Sequence, residues 1–149
     1  MRTADTLDFL LGTWDLERVI KDYRSETDGV FRASATLIQS EAATANSRGE
    51  QARYHEAGEL RFGTQLTRAS RSLLYERLPD ASVMLHFADG KPFVDLNLES
   101  GEWRGVHHCV DDLYELITTV RSASLVEERW RVTGPTKDYL AVTTLRRVA

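Results

Sequence analysis

The sequence predicts an all-β fold: a closed antiparallel up-and-down barrel of about ten strands with a short N-terminal helix. Three observations carry this. Segments of alternating apolar and polar residues, rich in β-branched and aromatic side chains, fill the chain after Gly12. Turn signals break that pattern nine times, which implies about ten strands. The breaks are shorter than the dozen or so residues a parallel crossover needs, so successive strands are antiparallel neighbours.

In chain order, Thr3 is placed to cap a helical turn running through Ala4, Asp5, Thr6 and Leu7 to Leu11, stopped by Gly12. Leu7, Leu10 and Leu11 share one face of it, as a plug or lid would. The first strand, Thr13 to Arg24, turns Trp14, Leu16, Arg18 and Ile20 to one side. The breaks are Asp28-Gly29, Asn46 to Gly49, Gly63, Pro79-Asp80, Asp89-Gly90, Ser100-Gly101, Val110 to Asp112, Ser122 to Ser124, and Gly134-Pro135. Asp-Gly suits a tight hairpin because both central residues of a type I′ turn need positive φ. Arg53 to Phe62 alternates most cleanly, with Tyr54, Glu56, Gly58, Leu60 and Phe62 on one face. Asp112 to Val120 sorts Tyr114, Leu116, Thr118 and Val120 together, and Leu125 to Thr133 sorts Val126, Glu128, Trp130 and Val132 together. Ala33 to Gln39 and Gln65 to Leu78 are mixed, and no face is assigned to either. Pro92 belongs at a strand start or edge, because it cannot donate to a ladder. An open meander would expose two edges, which closure removes.

The 149 residues suit one domain, 1–149, and a chain of this length buries roughly 70% of its unfolded surface. Lys and Arg number 19 against 23 Asp and Glu, a net charge of −4, which disfavours nucleic acid as a partner. No apolar run approaches the roughly 18 residues of a membrane span, and Met1 to Trp14 lacks the features of a signal peptide. The expected location is the cytoplasm. A lone cysteine, Cys109, rules out an internal disulfide and any multi-cysteine metal site. No cofactor is implied.

With the apolar faces turned inward, Arg18, Glu56 and Glu128 enter the barrel beside Tyr54, Tyr114 and Trp130. Buried charge costs several kcal/mol per ion unless paired or hydrated. Either Arg18 pairs internally with Glu56 or Glu128, or it anchors the carboxylate or phosphate of a small ligand that the aromatics enclose. Binding of a small, partly apolar molecule is the leading expectation, with His107, Glu56 and Glu128 as hydrogen-bond partners. Two alternatives stand beside it. An enzyme could use His107 as general acid or base in the same cavity, with Cys109 on the same strand face. An interaction module, for example a homodimer, could use the outward Leu113, Ile117 and Leu125. Gly134 to Tyr139 reads as a turn feeding the last strand, with Lys137 and Tyr139 near the rim.

The run Asp8-Phe9-Leu10-Leu11-Gly12-Thr13-Trp14 resembles the opening of calycins, the lipocalin and fatty-acid-binding-protein group. The resemblance implies that Gly12 permits the turn into the first strand, that Trp14 closes the barrel end, and that a basic residue of the last strand stacks on Trp14. Arg146 or Arg147 stands in that place, so Gly12, Trp14 and Arg146 are its structural residues. Phe9-Leu10-x-Gly12-x-Trp14, Asp89-Gly90-x-Pro92-Phe93, His107-x-Cys109-x-x-Asp112-x-Tyr114 and Gly134-Pro135-x-Lys137-Asp138-Tyr139 are together similar to bacterial lipocalin-like barrels without an assigned activity. A looser similarity is to nitrobindins, ten-stranded haem barrels with an axial histidine near the C-terminus. His107 and His108 lie about forty residues from that end, so the similarity does not carry haem with it.

Overall fold

The computed structural model describes residues 1–40 and 50–149. A short helix, α1 (Thr6–Leu10), precedes ten strands: β1 (Gly12–Asp22), β2 (Thr27–Gln39), β3 (Gln51–Phe62), β4 (Gln65–Arg77) and β5 (Val83–Phe87) form the first half. The second half comprises β6 (Pro92–Leu96), β7 (Glu102–Cys109), β8 (Asp112–Ser122), β9 (Leu125–Thr133) and β10 (Asp138–Arg147). All pair in one antiparallel sheet of order β6-β5-β4-β3-β2-β1-β10-β9-β8-β7. The first and last strands are hydrogen-bonded neighbours, with Trp14 opposite Arg147 and Asp22 opposite Tyr139. The fold is therefore an up-and-down meander rolled into a nearly closed barrel.

The ladder breaks at one place. β6 and β7 follow each other in sequence but form the two ends of the sheet. The indole Nε1 of Trp103 bridges them by donating to the Asp95 carbonyl at 2.9 Å. The β5–β6 hairpin is short, so β5 pairs only with Leu73–Arg77, the C-terminal part of β4. This leaves the barrel wall incomplete towards the end remote from α1.

Two local expectations change. Asp5, not Thr3, caps α1, its carboxylate accepting from the Asp8 N–H at 2.9 Å. The Thr3 hydroxyl donates instead to the Leu98 carbonyl, and Leu11 lies beyond the helix as its C-cap. Asp28-Gly29 is not the first hairpin turn, which is Tyr23–Glu26 with Glu26 at φ 53°. Gly29 sits within β2 because a Cβ there would come within 2.6 Å of the Phe62 ring. The expected break at Asn46 to Gly49 lies outside the described residues.

The faces of β1, β3, β8 and β9 follow the alternation, since side-chain period in a strand is a local property. The apolar core fills the half of the barrel nearest α1, where Leu7, Leu10, Trp14, Leu16 and Val126 are buried. The helix plugs that end. Its Thr6 hydroxyl accepts from the Leu98 N–H, and Arg77 pairs with Asp5 and Asp8 at 3.2 and 2.6 Å.

Candidate functional site

Above the apolar plug, the inward face turns polar. Cross-strand register sets Arg18 on β1 beside Thr143 on β10, Thr143 beside Glu128 on β9, and Glu128 beside Thr118 on β8. Arg18 Nε donates to Thr143 Oγ1 at 2.8 Å. On the other side, Glu56 on β3 lies opposite Arg71 on β4. Glu56 is 1% exposed and holds both cations, Arg71 Nε at 2.7 Å and Arg18 Nη2 at 3.1 Å. One carboxylate thus faces two guanidinium groups. Beneath it Tyr54 stacks on Tyr75, centroids 5.6 Å apart.

Glu128 has no such pair among the described residues. Its hydrogen bond is a long one, 3.4 Å from Trp130 Nε1. Burial pushes its pKa up, more than the attraction of Arg18 and Arg71 pulls it down. A carboxyl whose folded pKa is raised contributes its stability below the unfolded pKa and loses it as pH rises through the folded value. Glu128→Gln, which cannot ionise, is therefore expected to raise the melting temperature relative to wild type above the ordinary glutamate pKa of 4.5. The gain should vanish at more acidic pH, as thermal melts across a pH series would show. Equal gain at all pH would mean that the carboxylate charge is not the cause.

A cavity of about 380 Å³ opens above this polar layer. Arg18, Arg71, Ile20 and Leu60 line its floor and one side, and Phe93, Tyr114, Trp130 and Tyr139 line the other. Phe93 and Trp130 are parallel, 3° apart with centroids at 5.1 Å, and Tyr114 meets both edge-on. A second chamber of about 150 Å³ shares Arg18, Ile20, Leu60 and Arg71, and adds Phe31, Glu56 and Ala69. It lies beside an inward row of small residues, Ala33, Gly58 and Ala69, paired across β2, β3 and β4. No larger residue fits at Gly58, where a Cβ would lie 2.0 Å from the Arg32 carbonyl oxygen.

The structure gathers Arg18, Tyr54, Glu56, Glu128, Tyr114 and Trp130 around this interior. His107 stands apart from the charged group, wedged edge-on against Phe93 at 5.2 Å and beside Phe87 and Tyr114. It makes no hydrogen bond to a carboxylate among the described residues, and Cys109 is exposed at the end of β7. Lys137 is committed within the protein, donating to the Tyr114 hydroxyl at 2.9 Å and pairing with Asp112 at 2.9 Å. Those two contacts raise its pKa and fix Tyr114 in the wall. Tyr139 lines the rim, its phenol pKa raised by burial and then by Tyr114.

Sequence reasoning missed Arg71 and Phe93. The inward alternation Arg71, Leu73, Tyr75 was available in β4, but the residues before it carry no apolar face to anchor the phase. At the opposite end, the basic residue over Trp14 is Arg147, at 4.1 Å from the ring, and not Arg146. Register decides this: Arg147 pairs with Trp14 and shares its inward face, whereas Arg146 pairs with Asp15 outside. Arg147 also donates to the Leu11 and Phe9 carbonyls, tying off the chain leaving α1.

Residues 10–147 match the model of a family described as one of unknown function, DUF6314. The chain belongs to that family. In this DUF6314 member the matched span takes in every strand of the barrel. No curated protein matches the sequence. Among solved structures, the fold is similar to the S-type phycobiliprotein lyase CPES from Guillardia theta, with a TM-score of 0.71 at 10% identity, covering 96% of this chain and 90% of that one. Two redesigned β-barrels bound to DFHBI, mFAP0 and mFAP1, align at a TM-score of 0.45 with 9% and 8% identity. They cover 93% and 97% of this chain and 99% and 100% of theirs. The likeness to the lyase shows that this chain shares its fold.

Proposed function

We propose that the barrel binds a small, partly apolar molecule bearing an anionic group, the anion on Arg71 and Arg18 and the apolar body along Phe93, Trp130 and Tyr114. One observation carries the reading. Arg71 Nε forms an ion pair with Glu56 at 2.7 Å, while its terminal nitrogens donate to none of the described residues and its side chain, 41% exposed, lines the cavity. A guanidinium paired through one nitrogen leaves the rest of its fork for bidentate contact with a carboxylate or phosphate. Arg18 and Arg71 share the single carboxylate of Glu56, so guanidinium donors outnumber the acceptors that pair with them at the cavity floor. The apolar walls supply the remaining affinity, as in small-molecule sites generally. The Arg147–Trp14 contact supports kinship with calycins.

Titration with 8-anilinonaphthalene-1-sulfonate, an aromatic anion that fluoresces when shielded from water, tests the reading. Wild type should bind it with quenching of tryptophan emission. Arg71→Gln should bind it about tenfold more weakly, the loss expected for one charge-assisted contact. The uncharged N-phenyl-1-naphthylamine should be little affected by that change. Equal sulfonate binding by both proteins would overturn the assignment of Arg71.

A further inference from the structure

β4 carries an unpaired backbone edge beside the cavity. Its pairing with β3 spans Gln65 to Glu76, whereas β5 covers only Leu73 to Arg77. Gln65–Ser72 therefore has no strand on its β5 side among the described residues. Every second residue of such an edge turns its N–H and C=O away from the sheet, ready for another strand. The stretch is exposed on both faces apart from Ala69, and Leu66 is 58% exposed.

We propose that Gln65–Ser72 is a docking strand for an extended peptide carrying two acidic side chains three residues apart. The charge of this edge selects the occupant. It holds Arg68 and Arg71 and no acidic residue of its own; across the ladder Arg71 pairs with Glu56, whereas Arg68, opposite Glu59, makes no ion pair among the described residues. A second copy pairing antiparallel through the same edge would bring four arginines into one seam, and like charges across strands repel. The same two arginines attract carboxylates. Because they are three apart, they point to opposite faces: Arg71 into the cavity mouth and Arg68 onto the outer surface. A partner strand in antiparallel register meets them with residues also three apart, one carboxylate reaching Arg71 and the other Arg68. On the outer face a shallow groove of about 290 Å³, floored by Ala57, Gly58 and Ser70, leaves room beside Arg68 for the partner's side chain. Backbone pairing supplies affinity and the two acids supply register, the division of labour seen when peptides extend a sheet.

The proposal shares Arg71 with small-ligand binding, so the two are told apart at Arg68, which lies outside the cavity and should leave sulfonate binding unchanged when substituted. The probe here is a fluorescein-labelled octapeptide, Thr-Val-Glu-Val-Thr-Glu-Val-Thr, with its glutamine analogue as control, measured by anisotropy and by amide hydrogen exchange. The acidic peptide should slow exchange in Gln65–Ser72 specifically. Arg68→Glu should weaken it about fivefold, as should replacing either peptide acid by glutamine. Arg68→Gln, which removes only the charge, should fall between wild type and Arg68→Glu, and keeps the test intact if charge reversal disturbs folding. Equal affinity for the glutamine peptide, or protection appearing elsewhere, would overturn the proposal. So would a dimer by light scattering whose Gln65–Ser72 amides are already slow without peptide.

Discussion

Replacing Glu56 by alanine is expected to destabilise the fold by about 3–5 kcal/mol, the range for removing one partner of a buried ion pair. Its carboxylate is almost fully buried between Arg18 and Arg71. Without it, two guanidinium groups lose the one carboxylate that pairs with both. For a domain whose total stability is about 5–15 kcal/mol, this is a large fraction. Glu56→Gln keeps the shape and an acceptor oxygen but loses the charge, so it should fall between alanine and wild type. Urea denaturation followed by tryptophan fluorescence measures both. A loss below about 1 kcal/mol for the alanine variant would mean that water already screens the arginines. In that case the interior is wetter than the 1% exposure of Glu56 implies.

Trp14→Ala should cost a similar amount, about 3–5 kcal/mol, for a different reason. Its indole is 3% exposed at the plugged end, donates to the Leu10 carbonyl at 2.9 Å and lies under the Arg147 guanidinium. Removing it opens a cavity between α1 and the barrel and strands the cation that holds the Leu11 and Phe9 carbonyls. Paired variants separate the two neighbouring arginines. Arg147→Ala should be destabilising by about 1–3 kcal/mol through lost charge-assisted hydrogen bonds and stacking. Arg146→Ala, on the outer face, should lie within about 0.5 kcal/mol of wild type. Thermal melts of the three variants provide the measurement, and an Arg146 effect as large as that of Arg147 would contradict the register.

The strand faces were legible because alternation is written into consecutive residues. Tyr54 and Glu56, or Glu128 and Trp130, must share a face whatever the rest of the chain does. The β4 segment from Gln65 to Ser72 was illegible for a structural reason. With an open edge on one side and the cavity mouth at its inward face, neither face needs apolar residues, so no pattern marks it. That is why Arg71 escaped notice while Arg18, embedded in an alternating strand, did not. The Asp28-Gly29 pair misled for the converse reason: its glycine serves the packing of Phe62 and not a turn.

The amino-acid sequence alone determined the class of fold, the meander order and the inward set of Arg18, Glu56, Glu128 and the aromatics, since all of these follow from local period and connection length. The tertiary structure decided which of them meet. Arg18, Glu56 and Arg71 come from β1, β3 and β4, and Arg147 rather than Arg146 reaches Trp14. Such contacts depend on how strands distant in the chain align and curl around a common axis. Side-chain alternation fixes a face but not a partner, and a shift of register by two residues preserves every face while exchanging every neighbour.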